Sequence, residues 1–301
     1  MEKEKKRKVL TVRNIIIGIL LLVMVVSGIG YIREQAAARR QKEQEESLAQ
    51  IASQTAEETE SESMTQEPEA EPETEAPYVS PIDFEALQAE NPDTVGWIRI
   101  PDTRIDYPIV QAADNEKYLH TDFEGKDSVY GTVYLDCDSR PDFSGWNNPV
   151  YGHHMKDGSM FKDVVKFKEE AYFKDHQYFE IYTPERTIHL KAVACYYSDS
   201  NGIVRKTRFA TRESFDKWLD ERLSPCGFAE KPEVPVDSMF VLVTCSYELN
   251  DARTLLYAVE VDEDGNVVEG TDKNVPPLVP VQDGQGLPMP SQSSAPAAPQ
   301  A

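Results

Sequence analysis

One uninterrupted apolar run near the N-terminus constrains this chain more than any other feature. Residues 15–32 (IIIGILLLVMVVSGIGYI) contain no charged side chain, and six Lys and Arg side chains precede them. Eighteen residues form a helix of roughly 27 Å, close to the bilayer hydrocarbon thickness of about 30 Å. We therefore expect a transmembrane signal-anchor over residues 15–32, behind a basic cytoplasmic tail, residues 1–14. The basic flank predicts that all later residues lie outside the cell.

A cleaved signal peptide is the alternative interpretation of this run. The small residues Ser27, Gly28 and Gly30 would suit a cleavage site. The run is longer than the apolar core of 7–15 residues that signal peptides have. Its length therefore favours an anchor that is retained.

Charge and composition divide the rest of the chain. Residues 43–75 carry twelve Glu and no Lys or Arg. Because so few apolar side chains cannot offset the entropy of ordering, we expect residues 33–80 to be a disordered acidic stalk. Residues 271–301 mix Pro with Gly, Ser, Gln and Ala, which predicts a disordered tail. One folded domain remains, residues 81–270. The formal net charge of −22 argues against nucleic acid as a partner, since phosphates would be repelled.

Short β-rich runs separated by Asn, Asp, Pro and Gly fill the folded domain. They cover residues 96–100, 105–111, 132–136, 149–153, 178–182, 188–197, 239–247 and 254–262. Such spacing is typical of a mainly β fold, an antiparallel barrel or a sandwich. A short helix is expected over residues 83–89, another around residues 163–173, and a longer one over residues 211–223. Thr211 can cap the longer helix, and its apolar side chains recur at helical spacing.

Cys245 is the best candidate for covalent chemistry. It stands where an apolar run (FVLVTC) turns polar, so the thiol is expected at the rim of the domain. A buried core cysteine is the usual fate of an unpaired thiol, and this position alone leaves both interpretations open.

Arg253 favours the chemical interpretation of Cys245. A three-residue turn centred on Leu249 would place Cys245 directly opposite Arg253 in a hairpin, with Cβ atoms about 4.5–5.5 Å apart. A guanidinium there favours the reactive thiolate and can stabilise an oxyanion on an attacked carbonyl. A different turn would leave Arg253 as an ordinary surface charge.

A thiol nucleophile also needs an acid–base partner, and the sequence offers five histidines. His153 follows Gly152 at the end of a strand-like run, where glycine permits close backbone approach. The adjacent His154 points to the other face of a strand, so only one of the two can enter a site. No third ligand follows at a recognised spacing, so we predict no metal site and no cofactor.

Three segments together strongly resemble the sortases, the cysteine transpeptidases of Gram-positive surfaces. They are Val-Tyr-Gly-His-His-Met, Leu-Val-Thr-Cys-Ser-Tyr and an Arg eight residues after the Cys. The resemblance covers about residues 81–265, and the helix predicted at residues 211–223 is similar to the inserted helix of class B. It implies a closed eight-stranded β-barrel with a short N-terminal helix.

The resemblance also implies roles for individual residues. Cys245 corresponds to the nucleophile, His153 to the general acid and base, and Arg253 to the residue that stabilises the oxyanion. The substrate-binding residues that it implies are Asn115, Leu119, Tyr151, Thr244 and Ser200. The implied partners are surface proteins with a sorting signal such as LPxTG or NPxTN, and an acceptor amine from a peptidoglycan precursor or from a pilin lysine.

Three alternatives to a wall-anchoring sortase follow from the same sequence. A pilin-polymerising sortase would use a lysine acceptor. A papain-like peptidase would place its cysteine before its histidine, whereas His153 precedes Cys245 here. A non-catalytic anchored scaffold would use the same fold without the reaction, and the complete Cys, His and Arg set argues against it.

Overall fold

The strand-like runs of the sequence form a closed eight-stranded barrel. We describe a computed structural model, which covers residues 2–62, 78–199, 205–246 and 252–271. The strands are β1 (Thr94–Arg99), β2 (Asp106–Val110), β3 (Tyr134–Leu135), β4 (Asn147–Tyr151), β5 (Tyr178–Tyr182), β6 (Thr187–Asp199), β7 (Met239–Ser246) and β8 (Ala252–Glu260). Their order around the barrel is β1-β2-β3-β4-β7-β8-β6-β5. The prediction of a mainly β, closed eight-stranded barrel is confirmed.

Two of the strand pairings differ from the antiparallel arrangement that the short runs predict. β2 pairs with β3 and β4 pairs with β7 in parallel, and the pairings between the other neighbours are antiparallel. Parallel neighbours need a long crossover connection. Between β4 and β7 the chain supplies one, which includes two other strands, two α-helices and a 3-10 helix.

Five α-helices accompany the barrel in the described chain. They are α1 (Glu2–Glu62), α2 (Phe84–Glu90), α3 (Lys117–His120), α4 (Glu170–Asp175) and α5 (Arg212–Leu223). A 3-10 helix, Phe161–Lys168, precedes α4. Thr211 caps α5 as predicted, by accepting a hydrogen bond from the Ser214 backbone N–H, while the Ser214 hydroxyl accepts one from the Thr211 N–H. Phe215, Trp218, Leu219 and Leu223 form the buried face of α5.

Alternation along the strands separates two apolar clusters. Val150, Leu242 and Leu256 belong to the cluster that fills the barrel. Val243 and Leu255 belong to the cluster on the outer face, which α5 covers. Successive side chains of a strand point to opposite faces, so one strand serves both clusters. The outer face of β7 and β8 is therefore also available to a site at the strand ends.

Helix α1 includes the apolar run that the sequence predicts as an anchor. Within Asn14–Ser53 an 18-residue window has a mean hydropathy of 2.8, and none of it is buried. Ile15 to Ile32 expose large apolar side chains along this stretch. By length and composition, α1 can cross a membrane.

The same helix packs against the barrel beyond the apolar run, which differs from the disordered stalk that the composition predicts. Leu48 and Ala52 are buried in one cluster with Leu87 of α2. The Ala52 carbonyl accepts a hydrogen bond of 3.1 Å from the Asp83 N–H. A few apolar side chains on one helical face give this contact, although the composition of the whole segment is polar. Residues 63–77 and 272–301 lie outside the described residues, so the predicted disorder there stays a prediction.

Leu48→Asp tests this packing. The substitution places a carboxylate in an apolar contact, so we expect residues 41–52 to leave the barrel in most molecules. Amide hydrogen exchange of that segment in the full chain should rise at least tenfold. Ala49→Asp introduces the same side chain at the neighbouring exposed position and should leave exchange nearly unchanged. Equal exchange in the two variants would contradict the packing.

Candidate active site

The ends of three neighbouring strands bring the predicted catalytic positions to one edge of the barrel. β7 lies between β4 and β8. β4 is parallel to β7, and β8 is antiparallel to it. The C-terminal ends of β4 and β7 therefore meet the N-terminal end of β8. His153 follows β4, Cys245 is near the end of β7, and Arg253 is near the start of β8.

The backbone register of β7 and β8 is the one that the predicted turn requires. Cys245 pairs with Arg253, between the pairs Thr244 with Thr254 and Ser246 with Ala252. The Arg253 side chain is half-buried, and its Nη1 donates to the Ala252 carbonyl at 3.3 Å. Residues 247–251, which connect the strands, lie outside the described residues.

The parallel register of β4 and β7 sets the level of His153. Tyr151 pairs with Val243, and the Gly152 N–H donates to the Val243 carbonyl at 3.1 Å. The same register carried two residues further brings position 153 level with position 245. Neighbouring strands lie about 4.8 Å apart, which is within side-chain reach.

A backbone carbonyl of α3 orients the imidazole of His153. His153 Nε2 lies 2.8 Å from the Leu119 carbonyl oxygen. A carbonyl can only accept, so Nε2 carries a hydrogen and donates it. The ring nitrogen left to exchange a proton in the site is then Nδ1. Such a bond holds the ring orientation and the tautomer in the way that partners of catalytic histidines do.

His154 has a different environment from His153. It is buried, and its Nε2 is in hydrogen-bond contact with Lys162 Nζ. Adjacent positions face opposite ways, as the sequence predicts. The structure therefore brings His153, and not His154, to the edge that carries Cys245 and Arg253.

Gly152 permits close packing directly beside His153. A Cβ at position 152 would lie 2.5 Å from Cγ of Phe161, whose ring is fully buried. The nearest atom is Cγ, which lies on the ring's rotation axis, so turning the Phe161 ring about its Cβ–Cγ bond cannot relieve the clash. A glycine is required here because the barrel core touches the backbone that leads to His153.

Three of the substrate-binding residues implied by the resemblance lie beside this edge. Tyr151 is half-buried, and its ring stacks on Tyr134 with centroids 5.0 Å apart. Leu119 is partly buried and packs on the cluster that contains Tyr118. Asn115 lies just before α3, where its side-chain oxygen accepts a bond of 2.9 Å from the Cys137 N–H.

The other two implied substrate residues lie elsewhere. Thr244 is 1% exposed and pairs with Thr254, which is fully buried, so its side chain does not reach solvent beside Cys245. Ser200 lies outside the described residues.

Sequence reasoning missed Asp136 as part of this region. The residue follows β3, and its carboxylate is fully buried. Asn115 Nδ2 and the Tyr151 hydroxyl donate to its Oδ2 at 3.0 and 2.8 Å. Arg205 Nε donates to the same oxygen at 3.2 Å. An acidic residue directly after an apolar run was the available signal, and the sequence analysis did not single it out.

This buried carboxylate shifts the titration of its neighbours. Burial, and after it the charge of Asp136, raises the pKa of the Tyr151 phenol well above its ordinary value, so Tyr151 stays a hydrogen-bond donor. Burial lowers the pKa of the Arg205 guanidinium, but the charge of Asp136 and the hydrogen bond to it favour the charged form, and the pKa of Arg205 is raised. Burial and the charges of Asp136 and Asp138 raise the pKa of the Cys137 thiol.

The donor set around Asp136 fits an arginine better than a metal ion. Within the described ranges, Asp136, Cys137 and Asp138 each place one ligand atom within 4.8 Å of the others. Arg205 bridges both carboxylates, with its Nη2 3.4 Å from Asp138 Oδ2. The guanidinium thus already compensates the charge that a cation would need.

Comparison with known proteins matches this geometry to one family. No family model matches the chain. The sortase B proteins of Listeria monocytogenes and Staphylococcus aureus are 31% and 26% identical to it over 163 residues, 54% of this chain. The chain spans about two thirds of the length of each, 66% and 67%.

Solved structures agree with these relatives. The sortase B structure from Clostridium perfringens is 30% identical, with a TM-score of 0.56 over 59% of this chain and 99% of that chain. The chain belongs to the class B sortases. This is a family of cysteine transpeptidases, and the expected family is therefore confirmed. A Staphylococcus aureus sortase B–substrate complex is 26% identical with a TM-score of 0.56, and covers 60% of this chain and 85% of that chain.

Gly152→Ala should impair the sortase site more than the fold. The new methyl group clashes with the Phe161 ring, so the backbone before His153 must move. We expect the rate at which a peptide substrate acylates the enzyme to fall at least tenfold, with a destabilisation of about 1–3 kcal/mol. Gly227→Ala is the control, because a Cβ there meets nothing within 4 Å. Stopped-flow acylation and thermal unfolding measure the two effects. A Gly152→Ala rate equal to that of the control would contradict this role of the glycine.

The cysteines should differ in their reactivity towards iodoacetamide. Burial raises the pKa of Cys195 well above its ordinary value, and burial with two carboxylates raises that of Cys137. A raised thiol pKa leaves less thiolate at neutral pH, so Cys137 should react slowly at pH 7 and faster as the pH rises. Cys245, paired with Arg253, should be alkylated at pH 7. Peptide mapping checks the order, and faster labelling of Cys137 would contradict it.

Proposed function

We propose that this chain is a membrane-anchored class B sortase that attaches surface proteins to the cell wall. It cleaves a C-terminal sorting signal after Thr, forms an acyl-enzyme on Cys245 and passes the acyl group to a cell-wall amine. The observation that carries the proposal is the register of β4, β7 and β8, which brings the positions of Cys245, His153 and Arg253 to one edge.

The reaction assigns one task to each of the three residues. The Cys245 thiolate attacks the Thr carbonyl carbon, and the carbonyl π electrons move to its oxygen. Arg253 stabilises that oxyanion. Protonated His153 gives its proton to the leaving amine as the peptide C–N bond breaks. An incoming amine then attacks the thioester, loses a proton to His153 and expels the Cys245 thiolate.

The substrate runs along the outer face of the barrel in this proposal. Tyr151, Leu119 and Asn115 lie on the β4 side of Cys245, next to the histidine that protonates the leaving group. The family resemblance implies the same residues. An aromatic ring and an apolar side chain on this side would suit contact with the Leu or Asn, Pro and Thr side chains of a sorting signal.

The anchor places the reaction at the outer surface of the membrane in this proposal. The basic residues before position 15 predict a cytoplasmic N-terminus. Helix α1 continues from the apolar run into the segment that packs on the barrel. The catalytic domain is therefore held near the bilayer, where exported substrates emerge and lipid-linked wall precursors carry acceptor amines.

Product analysis with the full chain in detergent micelles tests this function. A library of sorting-signal peptides is incubated with triglycine, a lysine derivative or no added amine, and the products are identified by mass. We expect cleavage after Thr, amide formation with one of the amines and hydrolysis without them. Cys245→Ala should abolish all products, while Cys226→Ala should retain them. Persistent cleavage in Cys245→Ala, or no cleavage of any peptide by the unaltered chain, would overturn the proposal. The preferred amine separates wall anchoring from pilin polymerisation.

Arg253→Gln tests the oxyanion role. Removing one preorganised oxyanion donor typically costs a factor of about 10²–10³ in rate, and we expect that loss in acylation. Arg186→Gln is the control, because Arg186 pairs with Glu260 at the other end of β8 and should change the rate less than twofold. Rapid-quench measurement of the acyl-enzyme gives both rates. An unchanged rate in Arg253→Gln would show that another group holds the oxyanion.

A further inference from the structure

Asp136 is a buried carboxylate whose partners come from three separate segments. Its side chain has no solvent exposure. Oδ1 accepts a bond of 2.9 Å from the Asp138 N–H, which closes the turn after β3. Oδ2 accepts from Asn115, Tyr151 and Arg205 at 3.0, 2.8 and 3.2 Å. Burial of a charge is costly unless it is paired and hydrogen-bonded, and this charge is both.

The three donors belong to parts of the chain that no short-range interaction joins. Asn115 lies before α3, Tyr151 ends β4, and Arg205 lies in the long connection between β6 and α5. One oxygen atom thus fixes the relative positions of these three segments. Charge-assisted hydrogen bonds are shorter and stronger than neutral ones, so this oxygen is an effective anchor.

Each of the three segments is connected to the candidate site. Tyr151 pairs with Val243, two residues before Cys245. Asn115 is four residues before Leu119, whose carbonyl holds His153. Arg205 joins the connection before α5 to the turn after β3 through Asp136 and Asp138. The carboxylate therefore supports the residues around the nucleophile without lying in the reaction path itself.

The amide of Asn115 uses both of its polar atoms in this support. Its nitrogen donates to Asp136, and its oxygen accepts from the Cys137 N–H at 2.9 Å. Both ends of the amide are therefore committed to the turn after β3. The Tyr151 hydroxyl is likewise held by Asp136, and its ring stacks on Tyr134, so the orientation of the ring is fixed at both ends.

We propose that Asp136 is a positioning residue for the sorting-signal groove, acting through Tyr151, Asn115 and Arg205. The inference rests on the proposed function, because it needs a peptide bound beside Cys245. Asp136 sets the affinity of the enzyme for the peptide. The chemical step at Cys245 depends instead on the residues at the ends of β4, β7 and β8.

Asp136→Asn is the direct test. An asparagine has the same shape, but its amide group turns a donor towards either the three side-chain donors or the Asp138 N–H. The buried anion is lost as well. We expect KM for the sorting-signal peptide to rise at least tenfold, while kcat and the rate of Cys245 alkylation stay within threefold of the unaltered chain. Thermal unfolding of the full chain is measured in parallel.

Asp138→Asn is the matched control. It removes the same charge two residues away, where the carboxylate is half-exposed and contacts only arginines among the described side chains. The three bonds to Asp136 remain, so KM should change less than twofold. The pair of variants separates a loss of net charge from a loss of positioning.

Each outcome decides the proposal. An unchanged KM in Asp136→Asn, or equal losses in KM, kcat and alkylation, would overturn it, the second by showing a merely structural role. If Asp136→Asn does not fold, Arg205→Gln replaces it. Arg205 is half-exposed, and the substitution removes its ion pair with the same oxygen of Asp136. That variant should raise KM with kcat kept, and an unchanged KM would overturn the proposal. An unaltered chain that cleaves no peptide would instead overturn the proposed function.

Discussion

The parallel pairing of β4 with β7 is the constraint on which the rest of the site depends. It runs from Asn147 opposite Met239 to Tyr151 opposite Val243, and the Gly152 N–H extends it. Backbone hydrogen bonds fix the level of two strands to within a residue, because a slip by one turns every side chain to the other face. The register thereby brings a histidine from one strand and a cysteine from another to the same edge, although 92 positions separate their numbers, 153 and 245.

The antiparallel β7–β8 pairing sets the position of Arg253 opposite Cys245, and it does so through a local connection. It is a local hairpin, so Arg253 follows Cys245 within eight residues. The barrel interior then holds all three strands at fixed positions, since Val150, Leu242 and Leu256 fill one cluster. Tight packing extends to the site itself at Gly152 and Phe161. Closely packed interiors resist small displacements, which suits a reaction that needs three groups in fixed positions.

The local features of this fold could be predicted from the sequence. Short β-rich runs between turn residues identified all eight strands, Thr211 identified the start of α5, and a turn centred on Leu249 predicted the Cys245–Arg253 pair. These depend on neighbours within about a dozen residues. Strand order and the two parallel contacts depend on long-range packing, which periodicity does not report. The family resemblance, and not periodicity, supplied the closed barrel.

Contacts between distant segments explain what the sequence did not show. Asp136 gathers donors from positions 115, 151 and 205, and no spacing rule connects them. Leu48 and Ala52 are buried because α2 and the barrel offer an apolar surface, which the polar composition around them conceals. The resemblance implied Thr244 as a substrate-binding residue, but strand alternation turns its side chain into the interior. Each of these outcomes depends on the assembled fold.

A crystal structure of the full chain after reaction with a sorting-signal peptide would test the central claim most directly. The peptide carries a thiol-reactive group in place of the Thr carboxamide. The account predicts a covalent bond from Cys245 Sγ, the oxyanion position within hydrogen-bond distance of Arg253, His153 beside the leaving-group side and the peptide against Tyr151. A peptide attached to Cys245 with Arg253 and His153 both turned away from it would contradict the account.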